Sequence, residues 1–526
     1  MRRREQASRQ RGSRPIRLRR IASALLIASA GCAPLFRRGL ALPAGASALR
    51  VERTDDPAYL RSVDPAVSIV PLLTVGESVA RTSQPQHLYR MVGVPDGLGA
   101  ARSRDGTVAV WMNHELDSDA VTHPIVDGEP VHGAFVSEWR IDPERLTIRS
   151  GDLAYSSIRV AGSKAAAQGK LAHLCSGFLA GPEVGFDRPM FLAGEEASGA
   201  STFDHHGGSA VAIAGDVAYV LPGFGHFRKE NLIVLPGTGE LTVAIGLNDQ
   251  PGAEASYLYL FIGHKHPHAA DALARNGLLD VQAYVLTAPF TSRRRESRFS
   301  KSDGAWPVEW HPLDRMEQMT DQQLRAASRL AGGLRFARIE DGAADPQRPG
   351  VVYFVSTGES FGNWRGRVYQ LMVNPRTPLA SGALQLLLDG DAGDPIISPD
   401  NIDVDRNGVL LIQEDPTGGF RGHMGREASI WAYRPADARL IRVAEIDQGA
   451  VPSRLRGARG QWESSGAIDV SEFFGPGSWL VDVQAHSVNS AGASSLQHLD
   501  GDARVDEGGQ LLLLRAPVFG AAAGSQ

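Results

Sequence analysis

Short runs of strand-forming residues, each stopped by Gly, Pro, Asp or Asn, recur from about residue 85 to near the C-terminus. "GTVAVWMNHE", "PMFLAGEE", "DVAYVLPG", "ELTVAIGLND", "SYLYLFIG", "VVYFVSTGE", "SWLVDVQAH" and "QLLLLRAP" are examples. Runs of this length and composition, bounded by turn residues, read as β-strands. Only "HAADALARNGLL" near residue 270 and "DRMEQMTDQQLRAASRLAGGL" from 314 to 334 read as helical. So few helices exclude a parallel α/β sheet, whose strands need crossover helices. A β-propeller accommodates the length and leaves no long open sheet edge. A double β-sandwich is the competing arrangement. The expectation is an all-β chain, a single β-propeller over residues 85–520 with short helical insertions. No repeat of fixed period gives the blade number.

The N-terminus has a different composition. Nine arginines in the first twenty residues precede "IASALLIASAGCAPLF", residues 21 to 36, which is too short for a membrane span. Small residues follow in "ALPAGASALR". Residues 1–48 are expected to be an export signal cleaved after Ala48, with 49–84 an N-terminal extension. Arg19-Arg20 allow a twin-arginine reading, and the location expected is periplasmic or secreted. Cys32 falls inside the leader, and the preceding "SAG" lacks the leucine of a lipoprotein cleavage box.

Without residues 1–48 the chain carries 43 basic and 58 acidic residues, a net charge of −15. Such a surface is a poor match for nucleic acid or anionic membranes. The excess of carboxylates fits either simple solubility or acids gathered around cations.

The strand ends carry chemistry. Asn113-His114-Glu115, Glu195-Glu196, Asn248-Asp249, Glu359, Glu414-Asp415 and Gln484 with His486 all close apolar runs. In a propeller the ends of successive inner strands converge on the central channel, so acids distant in sequence could meet there. Close carboxylates persist together only with cations or shared protons. Any one of them alone reads as a solvated hairpin end. Cys175, the one cysteine outside the leader, cannot form an internal disulfide once the leader is removed. Its thiol is inert and buried, free and oxidisable, or bound to metal.

Several local patterns carry less. "DVDRNGVLLIQE", Asp403 to Glu414, satisfies the EF-hand pattern, but Pro399 and Pro416 break the flanking helices and "RNG" is a hairpin turn. It reads as two strands. "GHKHPH" (263–268) and "DHHGGS" (204–209) could each line a site or form a turn. "GESFGNW" lacks the setting of a serine-hydrolase elbow at Ser360. In "RFARIED", Arg338 and Glu340 project to one face of an extended segment. They form either a plain salt bridge or a phosphate-binding arginine beside metal-held acids.

"VWMNHE", "LCSG…FLAGEEASG", "GHFRKEN", "AIGLNDQPGAEASYLYLFI", "ARIEDGAADP", "SPDNIDVDRNGVLLIQED" and "VDVQAHS" together resemble, in order, segments of the PhoX-type alkaline phosphatases. The resemblance implies a six-bladed propeller whose channel holds iron and calcium and hydrolyses phosphate esters. It implies Cys175 as a thiolate ligand to iron. Glu195 or Glu196, Glu230, Asp249 and Glu340 are the implied carboxylate ligands, with Asp400 and then Glu463 as weaker candidates. Arg338 is the implied phosphate contact. The family's Thr-Pro-Trp-Gly run after the cysteine is absent, and "AGPEVGFDRP" stands in its place.

The function expected is a metal-dependent phosphomonoesterase using calcium and ferric iron. Its partner would be a small-molecule phosphate ester, with no nucleic acid and no stable membrane insertion, and the chain would act as a monomer. A calcium-dependent propeller lactonase or esterase, and a non-catalytic calcium-binding propeller, are the alternatives.

Overall fold

The computed structural model describes residues 51–252, 254–289, 294–360, 362–417, 425–488 and 507–519. The chain divides into 1–47 and 48–526. The first part, with most of the expected export signal and Cys32, lies outside the described residues, as do residues 48–50.

Six four-stranded antiparallel blades make up the second part, each running from an inner to an outer strand. Blade I is Pro95–Arg102, Val108–His114, Phe135–Asp142 and Thr147–Leu153. Blade II runs from Leu174–Ala180 through Met190–Glu195 and Ala210–Ala214 to Val217–Leu221, with Ser157–Val160 added in parallel outside. Lys229–Val234, Leu241–Asn248, Leu258–His264 and Gln282–Thr287 form blade III. Ile339–Ala344, Val351–Ser356, Arg367–Met372 and Gly382–Asp389 form blade IV. A long strand, Ala305–Leu313, pairs with the outer strands of both III and IV and joins them into one nine-stranded sheet.

Blade V contains Pro399–Val404, Leu410–Glu414, Ser429–Arg434 and Arg439–Ile446, with Leu60–Ser62 along its outer edge. Blade VI takes Glu463–Asp469, Ser478–Ala485 and Gly508–Arg515 from the C-terminal region and its outer strand, Ser68–Thr74, from the N-terminal one. The six inner strands touch in a closed cycle, I to II and on to VI and back to I. This is a propeller, and the closed ring of six inner strands excludes the double sandwich.

Residues 60–74 therefore differ from the expectation of an N-terminal extension outside the propeller. They supply edge strands to blades V and VI, and Ser68–Thr74 closes the ring by pairing with Gly508–Arg515. The helical stretches are also shorter than expected. Near 270 only Ala272–Arg275 is helical, capped by Asp271 and stopped at Asn276-Gly277, where Gly277 takes φ +65°. The second helix is Asp321–Leu330, opened by a capping box between Thr320 and Gln323.

Apolar side chains fill the spaces between blades. Trp139, Trp462, Trp479 and the run Leu511–Leu514 pack where blades V, VI and I meet. Phe336, Phe354 and Tyr369 stack between III and IV. Each wedge buries one face of two neighbouring sheets, so the blades hold one another and the channel keeps its polar lining. Asp403 to Glu414 forms the inner hairpin of blade V, and no EF-hand is present there.

Candidate metal and phosphate centre

Five inner strands carry the same irregularity near their channel end. In blade I, Pro95 pairs with His114 and Leu98 with Met112, so Asp96 and Gly97 together oppose one residue. The same bulge places Cys175 and Ser176 in blade II, Glu230 and Asn231 in III, Glu340 and Asp341 in IV, and Asp400 and Asn401 in V. A bulge kinks its strand and re-aims side chains. Here the first bulged residue is each time an acid or the thiol: Asp96, Cys175, Glu230, Glu340, Asp400. In blade VI the shift comes later, after Ser465, and Glu463 at the strand's start takes the ring position.

A second tier comes from the residue after each second strand: Glu115, Glu196, Asp249 and Asp415 in blades I, II, III and V. All residues of the two tiers except Glu230 and Asp249 line a cavity of about 370 Å³ at the channel mouth, with Arg228, Arg338, Gln484, His486 and Glu507 also in its wall. Ligand-capable atoms of Asp96, Glu115 and Cys175 lie within 4.8 Å of one another, as do those of Cys175, Glu196 and Glu230. The thiol sits 3.5 Å from Asp96 Oδ2. Ser176 Oγ donates to Glu230 Oε1 at 2.6 Å, and Asn401 Nδ2 donates to Ser176 Oγ at 2.9 Å.

The electrostatics demand counter-charge. Burial first, and then mutual repulsion, pushes Asp96, Asp400 and Glu463 well above the ordinary carboxylate range. Glu196 and Glu340 are also pushed well above it by burial and neighbouring acids, with Arg228 and Arg338 respectively opposing the shift. Glu230 is pushed up to about 7 by burial. Burial and then Asp96 and Glu230 hold the Cys175 thiol far from ionising. Asp96 Oδ1, Glu230 Oε2 and Gln484 Oε1 are buried without a hydrogen-bond partner. All three are acceptors, so donors or cations are what the site lacks. Hard oxygens with one thiol are a donor set able to hold metal ions.

Two arginines form the cationic side of the mouth. Arg338 takes an uncommon φ of +56° and lies 2.7 Å from Glu340, with Nε 3.1 Å from Asp249 Oδ1. Its burial opposes charge, but Asp249 and Glu340 outweigh that and keep it protonated. Arg228 pairs with Glu196, and its Nε donates to the Asp249 carbonyl at 3.1 Å.

Of the expected site residues, the structure gathers Cys175, Glu196, Glu230, Glu340, Asp400, Glu463 and Arg338. Glu195 is a correction: it alternates to the opposite face from Glu196. Its carboxylate accepts backbone N–H bonds from Ala172, Phe203 and Ser209 at 3.0–3.1 Å, which leaves it structural. Asp249 is recast too, since its oxygens face both arginines. Sequence reasoning missed Asp96 and Glu507, and left Glu115, Asp415, Gln484 and His486 as strand ends. Asp96 had a signal: "PDG" at 95–97 repeats the "PDN" of 399–401.

Residues 218–448, from the last strand of blade II to the end of blade V, match the family described as alkaline phosphatase PhoX. Over that span the chain is similar to the PhoX-type alkaline phosphatases. Pseudomonas fluorescens PhoX in complex with vanadate, a transition-state analogue, shares its fold. The TM-score is 0.57 at 14% identity, covering 89% of this chain and 98% of that one. A luciferin-regenerating enzyme (TM-score 0.30, 11% identity, covering 81% and 92%) and a putative glycoside hydrolase from Parabacteroides distasonis (TM-score 0.32, 10% identity, covering 74% and 97%) also match. No curated protein shows a significant sequence match. The matched span includes both arginines, Glu230, Glu340 and Asp400. Cys175, Glu196 and the blade I and VI contributions lie outside it.

Proposed function

We propose that this PhoX-like chain hydrolyses phosphate monoesters at the channel mouth, with calcium and iron held by acids drawn from both tiers and by Cys175. The observation that carries the reading is the meeting of an acid-and-thiol ring with two fixed guanidinium groups in one cavity. Asp96, Glu115, Cys175, Glu196, Glu230, Glu340 and Asp400 would hold the metals. Bound there, the metals would lower the pKa of an oxygen nucleophile and stabilise charge on the leaving oxygen.

The chain's own residues do the rest. Arg338 and Arg228 face the cavity and neutralise the non-bridging oxygens of a phosphoryl group, in the planar geometry that suits paired N–H donors. Asp249 keeps both guanidinium groups in place, so little reorganisation is needed as charge develops. His486, whose Nδ1 lies 2.6 Å from Glu507, offers a proton at the same wall. Glu115 is oriented by His173, whose Nδ1 lies 3.1 Å away. Export is part of the proposal. No helix among the described residues is long and apolar enough to cross a membrane.

Cys175→Ser and Glu340→Gln test the assignment. Iron content is expected to fall in the first, and turnover of an aryl phosphate in both. If both variants keep full metal content and normal turnover, the assignment is wrong. A calcium-only propeller esterase has no use for the thiolate, so iron measured beside calcium separates that alternative from this one.

A further inference from the structure

Outside the channel, the turn "DHHGGS" brings a second set of ligand-type side chains together. Asp204 Oδ2 lies 2.8 Å from His226 Nε2, and Asp204 Oδ1 lies 3.8 Å from His206 Nδ1. The two imidazole rings are 5.5 Å apart, and ligand atoms of the three residues all lie within 4.8 Å of one another. His226 precedes the inner strand of blade III, so the set joins residues more than twenty positions apart.

The backbone builds this arrangement. Gly208 runs so close to blade ends that a Cβ there would meet the Glu195 carbonyl oxygen at 1.9 Å and that of Phe227 at 2.4 Å. Phe227 N–H donates to the Gly208 carbonyl at 3.1 Å, and Asp321 N–H to that of His206 at 2.8 Å. The turn is thus pinned both to the chain beside His226 and to the start of the helix Asp321–Leu330.

Hydrogen bonding fixes the tautomer of His226. Its Nδ1 lies 2.9 Å from the Met319 carbonyl oxygen, which can only accept, so Nδ1 carries the proton. Nε2 then faces a carboxylate oxygen, either as a lone pair or as the N–H of an imidazolium, in a residue that is only 3% exposed. At that distance a proton or a metal cation must lie between the two atoms. A carbonyl holding one ring nitrogen while the other faces outward is the arrangement of metal-bound histidines. Metal–ligand bonds of about 2.0–2.2 Å place ligand atoms about 3 Å apart. The Asp204–His226 pair already has that spacing, and the exposed His206 side chain lies 3.8 Å from the other Asp204 oxygen.

We propose that Asp204, His206 and His226 form a transition-metal site, separate from the channel, that takes zinc or a similar first-row divalent ion. Two imidazoles and one carboxylate suit zinc and leave room for water. The ion would clamp the blade II loop to the entry of blade III and to the loop before the helix. Glu196 leads into that loop and Arg228 follows His226 by two residues, so the clamp fixes both chain segments that feed the phosphate side of the channel.

Zinc and cobalt(II) binding to the full chain, purified with its channel metals in place, tests this. Wild type is expected to bind one further equivalent of zinc with its calcium and iron content unchanged. His206→Ala and His226→Gln should lose it without losing calcium or iron. Cobalt in the site should show visible bands without sulfur-to-cobalt charge transfer. His206 is exposed enough that its alanine variant is expected to fold even if the His226 variant does not. If wild type takes up no further zinc, or His206→Ala takes up as much as wild type, a proton occupies the Asp204–His226 pair and the proposal falls.

Discussion

Arg338 grips Asp249 across 89 positions of sequence, with Nε 3.1 Å from Oδ1 and Nη2 3.3 Å from Oδ2. Arg228 meets the same residue through its carbonyl, so one aspartate anchors both cations of the mouth. Asp249→Asn keeps the shape and removes the charge. Losing a group that orients functional side chains typically costs about 10–100-fold. A loss of that size in kcat/KM for an aryl phosphate is expected, with calcium and iron content unchanged. Metal content that falls in step with activity would make Asp249 a ligand instead.

Arg338→Lys isolates the fork. Lysine keeps the charge but cannot present paired planar donors. Removing a group that stabilises developing oxyanion charge costs about 10²–10³-fold in kcat. A drop in kcat approaching that range, larger than any rise in KM, is expected from steady-state kinetics. A change confined to KM would limit Arg338 to ground-state binding.

Gly97 sets the distance between Asp96 and Cys175. A Cβ there would meet Gly177 N at 2.3 Å and the Cys175 carbonyl oxygen at 2.5 Å, both backbone atoms that cannot swing aside. Gly97→Ala should therefore push the inner strands of blades I and II apart. Iron content and activity are expected to fall together, since the thiol moves relative to the acids. A variant with full iron and full turnover would show that the ring tolerates this shift.

The recurrence of acids at strand ends was legible because those residues sit at turn boundaries, where polarity breaks the apolar pattern. The ring below them was not legible in the strand pattern, and Cys175, Glu230, Glu340 and Asp400 were named only through the family resemblance. A bulge breaks the two-residue alternation at each inner strand, and the ring residue itself changes from Asp to Cys to Glu around the channel. Asp96 was missed for that reason. Glu195 and Glu196 were seen as a pair, but only the register that sets Glu195 opposite Leu174 decides which one faces the cavity. Ser68–Thr74 escaped notice because its partner, Gly508–Arg515, lies at the far end of the chain. A pairing that distant leaves no local trace in composition.

Buried acids predict how the metal-free protein responds to pH. Burial pushes Glu296 up to about 7 and Asp403 up to about 8, and the channel acids move the same way. A carboxyl with a raised folded-state pKa binds more protons when folded than when unfolded. Stability is therefore greatest below the unfolded pKa and is lost as pH rises through the folded one. The urea midpoint of chelator-treated protein is expected to fall between pH 5 and pH 8. Restoring calcium and iron should flatten that dependence, because cations replace the protons in the ring. A midpoint that rises over the same interval would contradict the burial of these groups.

Asp482 gives the most specific form of this argument. It lies in the second strand of blade VI, fully buried, and neither carboxylate oxygen has a hydrogen-bond partner. One oxygen sits against Gly466, whose added Cβ would meet it at 2.8 Å and the Asp96 carbonyl oxygen at 2.7 Å. Burial alone pushes this carboxyl far above its usual range. An isolated buried charge is too costly to keep, so the group stays protonated as long as pH allows. Asparagine has the same outline and nothing to ionise. Asp482→Asn is expected to leave the urea midpoint of metal-free protein nearly unchanged at pH 5 and to raise it at pH 8. A variant destabilised at both values would show that the carboxyl makes a favourable contact in the fold, with a cation or with a donor it reaches only when ionised.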